Sequence, residues 1–332
     1  MKKITLLIIA LALAATQSYS NTRASILLLH NGQGTSFDAD QLQMAVDDAV
    51  NGDSIILSVG TFPVNGALSI NKVITITGIG ETTKVMGNIN YDIDKSPSMK
   101  GYALSCLRIN GDVIVAKRLH GLKIKKCWIE GNVYATDSLY DIQIDQSYIK
   151  KFAPTSYTIN AFIKNSILGE VGPCITGQAL SSDNSKITLF NCSIDRIGSN
   201  GFGSYLQYIT VVNSVIYAYS CSAYSKNNTF INTLKSGTFD TSYGDIVENC
   251  YSNSGLKANT VSDKLPTFTL DNKALTTTLL VENGYLGNDN TAVGADGGST
   301  PFSLSIEGLS IKESVLKVDP VTRQLNVTLT VE

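Results

Sequence analysis

The feature that most constrains this chain is a short phrase that recurs along its middle. "LKIKKCWI", "IQIDQSYI", "AFIKNSIL", "ITLFNCSI", "ITVVNSVI", "AYSKNNTF" and "DIVENCYS" align on Cys127, Ser147, Ser166, Cys192, Ser214, Asn228 and Cys250. Those positions lie 20, 19, 26, 22, 14 and 22 residues apart. An irregular period near twenty is the mark of a solenoid whose turns differ in loop length. Each phrase reads apolar, x, apolar, x, polar, small, x, apolar. Its first half alternates with the period of two that a strand requires, not the 3.6 of a helix. A polar-small pair then bends the chain into a second short strand. Strand, bend, strand and variable loop make one coil of an all-β fold, a parallel β-helix.

The bend residues in this alignment are Lys126, Gln146, Asn165, Asn191, Asn213, Asn227 and Asn249. Asparagine tolerates left-handed backbone and bonds to nearby backbone groups. Coils stack about 4.8 Å apart, so such amides are expected to bond to one another along the stack. The next column, Cys127, Ser147, Ser166, Cys192, Ser214, Asn228 and Cys250, is small enough for the inside of a bend. A thiol there acts as a buried, weakly polar filler. Cys127, Cys192 and Cys250 fall in non-adjacent coils and are read as structural thiols. Six cysteines in an exported chain also invite disulfides. Cys106, Cys174 and Cys221 receive no assignment. No C-x-x-C pair occurs, which excludes a zinc knuckle or a thioredoxin-like motif.

The first twenty residues read as a signal peptide, with cleavage after Ser20. Lys2 and Lys3 precede the apolar run Ile4 to Ala15, and "TQSYS" follows. That run is short for a bilayer span, and no later stretch is long and apolar enough for one. The expected location is therefore secreted, periplasmic or cell-surface. A net charge of −2 leaves no nucleic-acid footprint. Five arginines and 2 histidines in the whole chain narrow the catalytic options.

The ends differ from the middle. In "SFDADQLQMAVDDAV" (36–50), Leu42, Ala45, Val46, Ala49 and Val50 share a helical face, and Asp38 with Gln41 suits a capping box. "NGDSIILSVGTF" then turns at Asn51-Gly52 into a strand. An amphipathic helix feeding a β-solenoid is expected to cap it and hide the first coil's edge. This stretch, with "ITITGIG" after it, resembles the entry segment of the pectate-lyase-like right-handed β-helix superfamily. That resemblance supplies the right-handed sense. It implies a range of roles, from polysaccharide lyases and glycoside hydrolases to adhesins and proteins without activity, so fold alone does not choose. "NGYLGNDNTAVGADGGSTPF" (283–302) resembles the closing loop of bacterial extracellular β-helix proteins. "LKVDPVTRQLNVTLTVE" reads as a C-terminal β-hairpin turning at Asp319-Pro320. The organisation expected is a signal peptide over 1–20, the capped β-helix over 21–264, and closing loops with the hairpin or a small sheet over 265–332.

Alternation also assigns outward columns. Lys125, Asp145, Lys164, Phe190, Val212, Lys226 and Glu248 form one, whose alternating sign suggests cross-coil ion pairs. Trp128, Tyr148, Ile167, Ser193, Val215, Thr229 and Tyr251 form another. Stacked Trp128 and Tyr148 would offer a platform to the apolar face of a sugar, unless a loop folds over them as a satellite cluster. A third holds Glu130, Lys150, Gly169, Asp195 and Tyr217. Asp195-Arg196 is the most enzyme-like pair. A lyase would use Lys150 and Arg196 on the developing charge and bind calcium through Asp145 and Asp195. A hydrolase would set the same two carboxylates across a cleft. His120 has no partner motif, and "GADGGST" lacks the lysine and the helix of a phosphate loop. The expectation is a non-catalytic exported scaffold that binds glycan or a surface partner on an exposed sheet. The alternatives are a lyase or hydrolase of acidic polysaccharide and a protein-binding adhesin. No cofactor is expected outside the calcium of the lyase reading.

Overall fold

Two long sheets, stacked coil on coil, carry almost all of the regular structure. A computed structural model describes residues 24–93, 101–153, 158–172, 186–198, 207–219, 227–236, 239, 241–242, 244–253, 273–304, 311–318 and 325–331, and every statement below concerns these. The expected signal peptide, Cys174, Cys221 and Lys226 lie outside them. Sheet I has 12 strands and sheet II has 11. From Ser54–Leu57 to Ile246–Glu248, sheet I is parallel and pairs each coil with the next. Sheet II runs likewise from Gly60–Ile70 to Tyr251–Asn253. A third, 3-stranded parallel sheet joins Leu119–His120, Leu139–Tyr140 and Thr158–Ile159. The chain is thus a parallel β-solenoid.

The alternation seen in the sequence becomes columns. Ile76, Leu104, Ile124, Ile144, Ile163, Leu189, Val211 and Phe230 are register partners in sheet I and point into the lumen, each at most 1% exposed. Ile109, Ile129, Ile149, Leu168, Ile194 and Ile216 answer them from sheet II. Each such side chain contributes about 1.5–3 kcal/mol by leaving water.

The bend is where the sequence alignment needs one correction. Lys126, Gln146, Asn165, Asn191, Asn213 and Asn249 all sit in the left-handed region, with φ between 46° and 52°. Cys106 (φ 54°) occupies the same place one coil earlier. Asn227 does not belong to this column. Ile231 pairs with Val212 and Glu248, which places Asn232 (φ 46°) in line and Thr233 after it. The short interval of 14 residues was the product of aligning Asn228 where Thr233 belongs. Asn227 (φ 58°) lies instead at the opposite end of the strand, two residues before sheet I resumes, with Asp141, Asn160 and Tyr208 in the equivalent places.

The small column has its own hydrogen-bonding rule. Ser147, Ser166, Ser214 and Thr233 each donate their hydroxyl to the carbonyl two residues back, at 2.7–3.0 Å. Cys127, Cys192 and Cys250 aim their thiols at the equivalent carbonyl, at 3.3–3.4 Å. The hydroxyls also accept from the coil before: Ser166 Oγ takes the amide of Ser147 and Ser214 Oγ that of Cys192. Cys106, Cys127, Cys192 and Cys250 are all free thiols. Burial pushes Cys127 and Cys192 up to about 12.

At the N-terminal end, Ser25–His30 and Gln33–Asp38 form an antiparallel pair, and Ser25–His30 lies antiparallel on Ser54–Leu57. This hairpin, unforeseen in the sequence, closes the edge of sheet I. A 3₁₀ turn, Ala39–Gln41, leads into α1 (Leu42–Asp48), and the capping box forms with Gln41 Oε1 accepting from the Asp38 amide at 2.9 Å. Leu42, Ala45, Val46 and Ala49 are buried over the first coils, but Val50 is 47% exposed because the helix ends at Asp48. At the other end, α2 (Lys273–Glu282) precedes an irregular segment, 283–304, and the hairpin Ile311–Val318 with Leu325–Val331 follows. The expected turn at Asp319-Pro320 lies outside the described residues.

Candidate functional site

The irregular segment 286–304 is a strap laid lengthwise over the bend column, running back from the late coils to the early ones. Asn213 Nδ2 donates to Asn288 Oδ1 at 2.8 Å, and the Gly294 amide donates to the Asn213 carbonyl at 2.8 Å. Asn165 Nδ2 donates to the Gly297 carbonyl at 2.7 Å, and Gln146 Nε2 to that of Pro301 at 2.6 Å. Amides were expected to bond to one another along the stack. Among the described column residues only Asn232 does so, donating to Asn213 Oδ1 at 3.3 Å. Gln146, Asn165 and Asn213 turn their amides to the strap instead.

The glycine-rich "GADGGST" serves this contact rather than a phosphate. A Cβ on Gly298 would stand 2.4 Å from Asn191 Nδ2, and one on Gly294 would stand 2.9 Å from Ser193 Oγ. Both residues also have positive φ, which glycine adopts without a Cβ to strain.

The strap and α2 cover part of sheet II. Trp128 and Tyr148, register partners with ring centroids 4.8 Å apart, are half-buried against Ile167, Val215, Leu280, Val293 and Phe302. Leu234, not Thr229, continues their column. Arg108 lies 5.1 Å over the Trp128 ring and donates through Nε to Glu130 at 2.8 Å. The pair is thus the satellite cluster of the sequence alternatives, not an open platform. Burial raises the Tyr148 hydroxyl pKa, with Asp195 and Glu130 adding to it.

The weak catalytic candidates are spread over both sheets. Asp145 belongs to sheet I and pairs with Lys164 at 3.5 Å, as the alternating charges predict. Asp195 belongs to sheet II, two coils further on. Lys150 shares its outward column, while Arg196 sits in the adjacent one, in register with Glu170. Burial raises the Asp195 carboxyl pKa against the opposing pull of Arg196. Among the described residues no three His, Cys, Asp or Glu side chains gather where a metal could sit, and no helix is long and apolar enough to cross a membrane. His120 stacks flat on Tyr140, 4.2 Å between centroids, in the third sheet.

The outer face of sheet I has no such cover in the described residues. Thr188, Thr210 and Thr229 are register partners there, stacked one coil apart. With Lys186, Tyr208 and Asn227 they line a groove of about 380 Å³. Asn227 Nδ2 donates to the Tyr208 hydroxyl at 3.1 Å, which holds the aromatic at the groove's edge. The sequence reading missed this groove because it sought aromatics within strands, whereas Tyr208 and Asn227 both stand at the bend before one. The threonine column, one residue before each of the lumen positions Leu189, Val211 and Phe230, was its readable sign. No family model, no curated protein and no solved structure matches this chain.

Proposed function

We propose that this is an exported, non-catalytic β-helix protein of the pectate-lyase-like, right-handed kind, which binds a glycan lengthwise on sheet I. The observation that carries the reading is the groove of Lys186, Thr188, Tyr208, Thr210, Asn227 and Thr229. Hydroxyls repeated at the coil spacing suit a linear chain of sugars, whose own hydroxyls exchange hydrogen bonds with threonine. Tyr208 supplies an apolar ring face with a polar tip. Lys186 suits an acidic substituent. Residues 1–20 act as the export signal, and the mature chain begins at Asn21.

The test is retention and cleavage on arrays of neutral and acidic polysaccharides. Retention without released product is expected, weakened at least tenfold by Tyr208→Ala. Failure to retain any glycan, or equal retention by the variant, overturns the reading. Release of unsaturated or reducing ends would make it an enzyme. Export is tested separately, by fractionation and by sequencing the mature N-terminus.

A further inference from the structure

The inward columns of the two sheets are apolar through the middle coils, and near the last described coils they change. In sheet II the inward column runs Ile129, Ile149, Leu168, Ile194 and Ile216, and then Lys235. On the sheet I side, Ala161, Ile187 and Ile209 precede Asn228 and Asp245. Lys235 is 5% exposed, Asp245 7% and Asn228 0%. Taking such groups out of water is costly, and an apolar trio would hold the fold as well or better.

These groups meet at Tyr219. Its hydroxyl donates to Asp245 Oδ2 at 2.9 Å and accepts from Asn228 Nδ2 at 3.3 Å. Lys235 Nζ lies 4.9 Å from its ring centroid and 5.1 Å from that of Phe239. Asp245 Oδ1 accepts the Asn228 backbone amide at 2.9 Å. Asn228 Oδ1 accepts the Ile209 amide at 3.2 Å, which polarises the side-chain carbonyl. The Lys235 amine over the ring of Tyr219, and the Asn228 amide and Asp245 carboxylate at its hydroxyl, are thus assembled around one buried aromatic side chain.

We propose that Lys235 and Asn228 form an intramolecular isopeptide bond, with Asp245 carrying the proton. The Lys235 amine attacks Asn228 Cγ, so the Nζ–Cγ bond forms. One amine proton passes to the Asp245 carboxylate. It is then delivered to Nδ2, the Cγ–Nδ2 bond breaks, and ammonia leaves. The step needs neither oxidant nor cofactor. The site favours it because the amine, the amide and the carboxylate are all gathered on Tyr219. The product ties the two sheets together across the lumen, where the stack nears its end.

Peptide mapping of the purified full chain by mass spectrometry tests this. The segment containing Asn228 and Lys235 is expected to be lighter by one ammonia, and trypsin is expected not to cut after Lys235 in the denatured chain. Asp245→Asn is expected to restore both the full mass and the cut. Lys235→Met, folded by circular dichroism, is expected to show the unmodified mass. A wild-type segment of full mass, cut normally at Lys235, overturns the proposal. So does the same loss of ammonia in Lys235→Met, since the lost group would then come from deamidation-type chemistry elsewhere in the segment.

Discussion

Asn213 and Asn288, 75 residues apart in the chain, exchange two hydrogen bonds: Asn213 Nδ2 donates to Asn288 Oδ1 at 2.8 Å, and the Asn288 amide donates back to Asn213 Oδ1 at 3.3 Å. A bend residue that the repeat requires for backbone reasons is thereby reused as an anchor for the strap. Asn213→Gly, which keeps the left-handed backbone but removes the amide, should cost about 1–3 kcal/mol in urea unfolding. It should also red-shift the emission of Trp128, the one tryptophan, as the strap loosens. An unshifted spectrum together with unchanged stability would show that the strap is held elsewhere.

Gly298→Ala attacks the same contact from the other side. The new methyl meets Asn191 Nδ2 within contact distance, at a positive φ that alanine resists. A loss of at least ~1 kcal/mol is expected, with a smaller effect from Gly284→Ala, where nothing lies within 4 Å. Paired denaturant melts of the two variants decide it.

Thiols and hydroxyls are interchangeable in the small column, since both point at the carbonyl two residues back. Cys127→Ser and Cys192→Ser should each change stability by less than about 1.5 kcal/mol, whereas Cys192→Leu should cost ~1–3 kcal/mol by overpacking. In the native protein Cys127 and Cys192 should resist thiol reagents that reach Cys106 and Cys250, both partly accessible. Their raised pKa means that the thiol form is favoured on folding. That stabilising share is complete below the ordinary thiol value and is lost as pH rises towards about 12. Alkaline unfolding curves of Cys127→Ser and the wild type should therefore diverge only above the ordinary thiol pKa.

Asp195 carries a raised carboxyl pKa, caused first by burial. A raised carboxylate favours the protonated form in the folded state. Its contribution is intact below the unfolded value and disappears as pH climbs past the folded one. Asp195→Asn should therefore melt higher than the wild type at neutral pH. The gap should close as the pH falls below the usual aspartate value. A constant gap across pH would mean that packing, not ionisation, sets the difference.

Tyr91 and Tyr102 meet edge to face in the lumen, with ring centroids 6.0 Å apart, and neither buried hydroxyl has a hydrogen-bond partner. Removing an unsatisfied buried hydroxyl while keeping the ring should stabilise. Tyr91→Phe is expected to gain roughly 1 kcal/mol in chemical denaturation. A loss of that size would reveal a bridging water.

The alternating apolar positions, the left-handed asparagines and the small column determined the solenoid from sequence alone, because each is a local demand that every coil repeats. The capping box at Asp38 and Gln41 was legible for the same reason: its partners stand three residues apart. The coil containing Asn227 and Asn232 was misread because two Asn-small pairs lie within one coil. Only pairing with Val212 and Glu248 selects between them. Tertiary structure alone decided that the strap covers Trp128 and Tyr148, that Lys186, Tyr208 and Asn227 join the threonine column in one groove, and that Lys235, Asn228 and Asp245 converge on Tyr219. Those contacts join segments whose spacing no period fixes, so nothing in the local pattern encodes them.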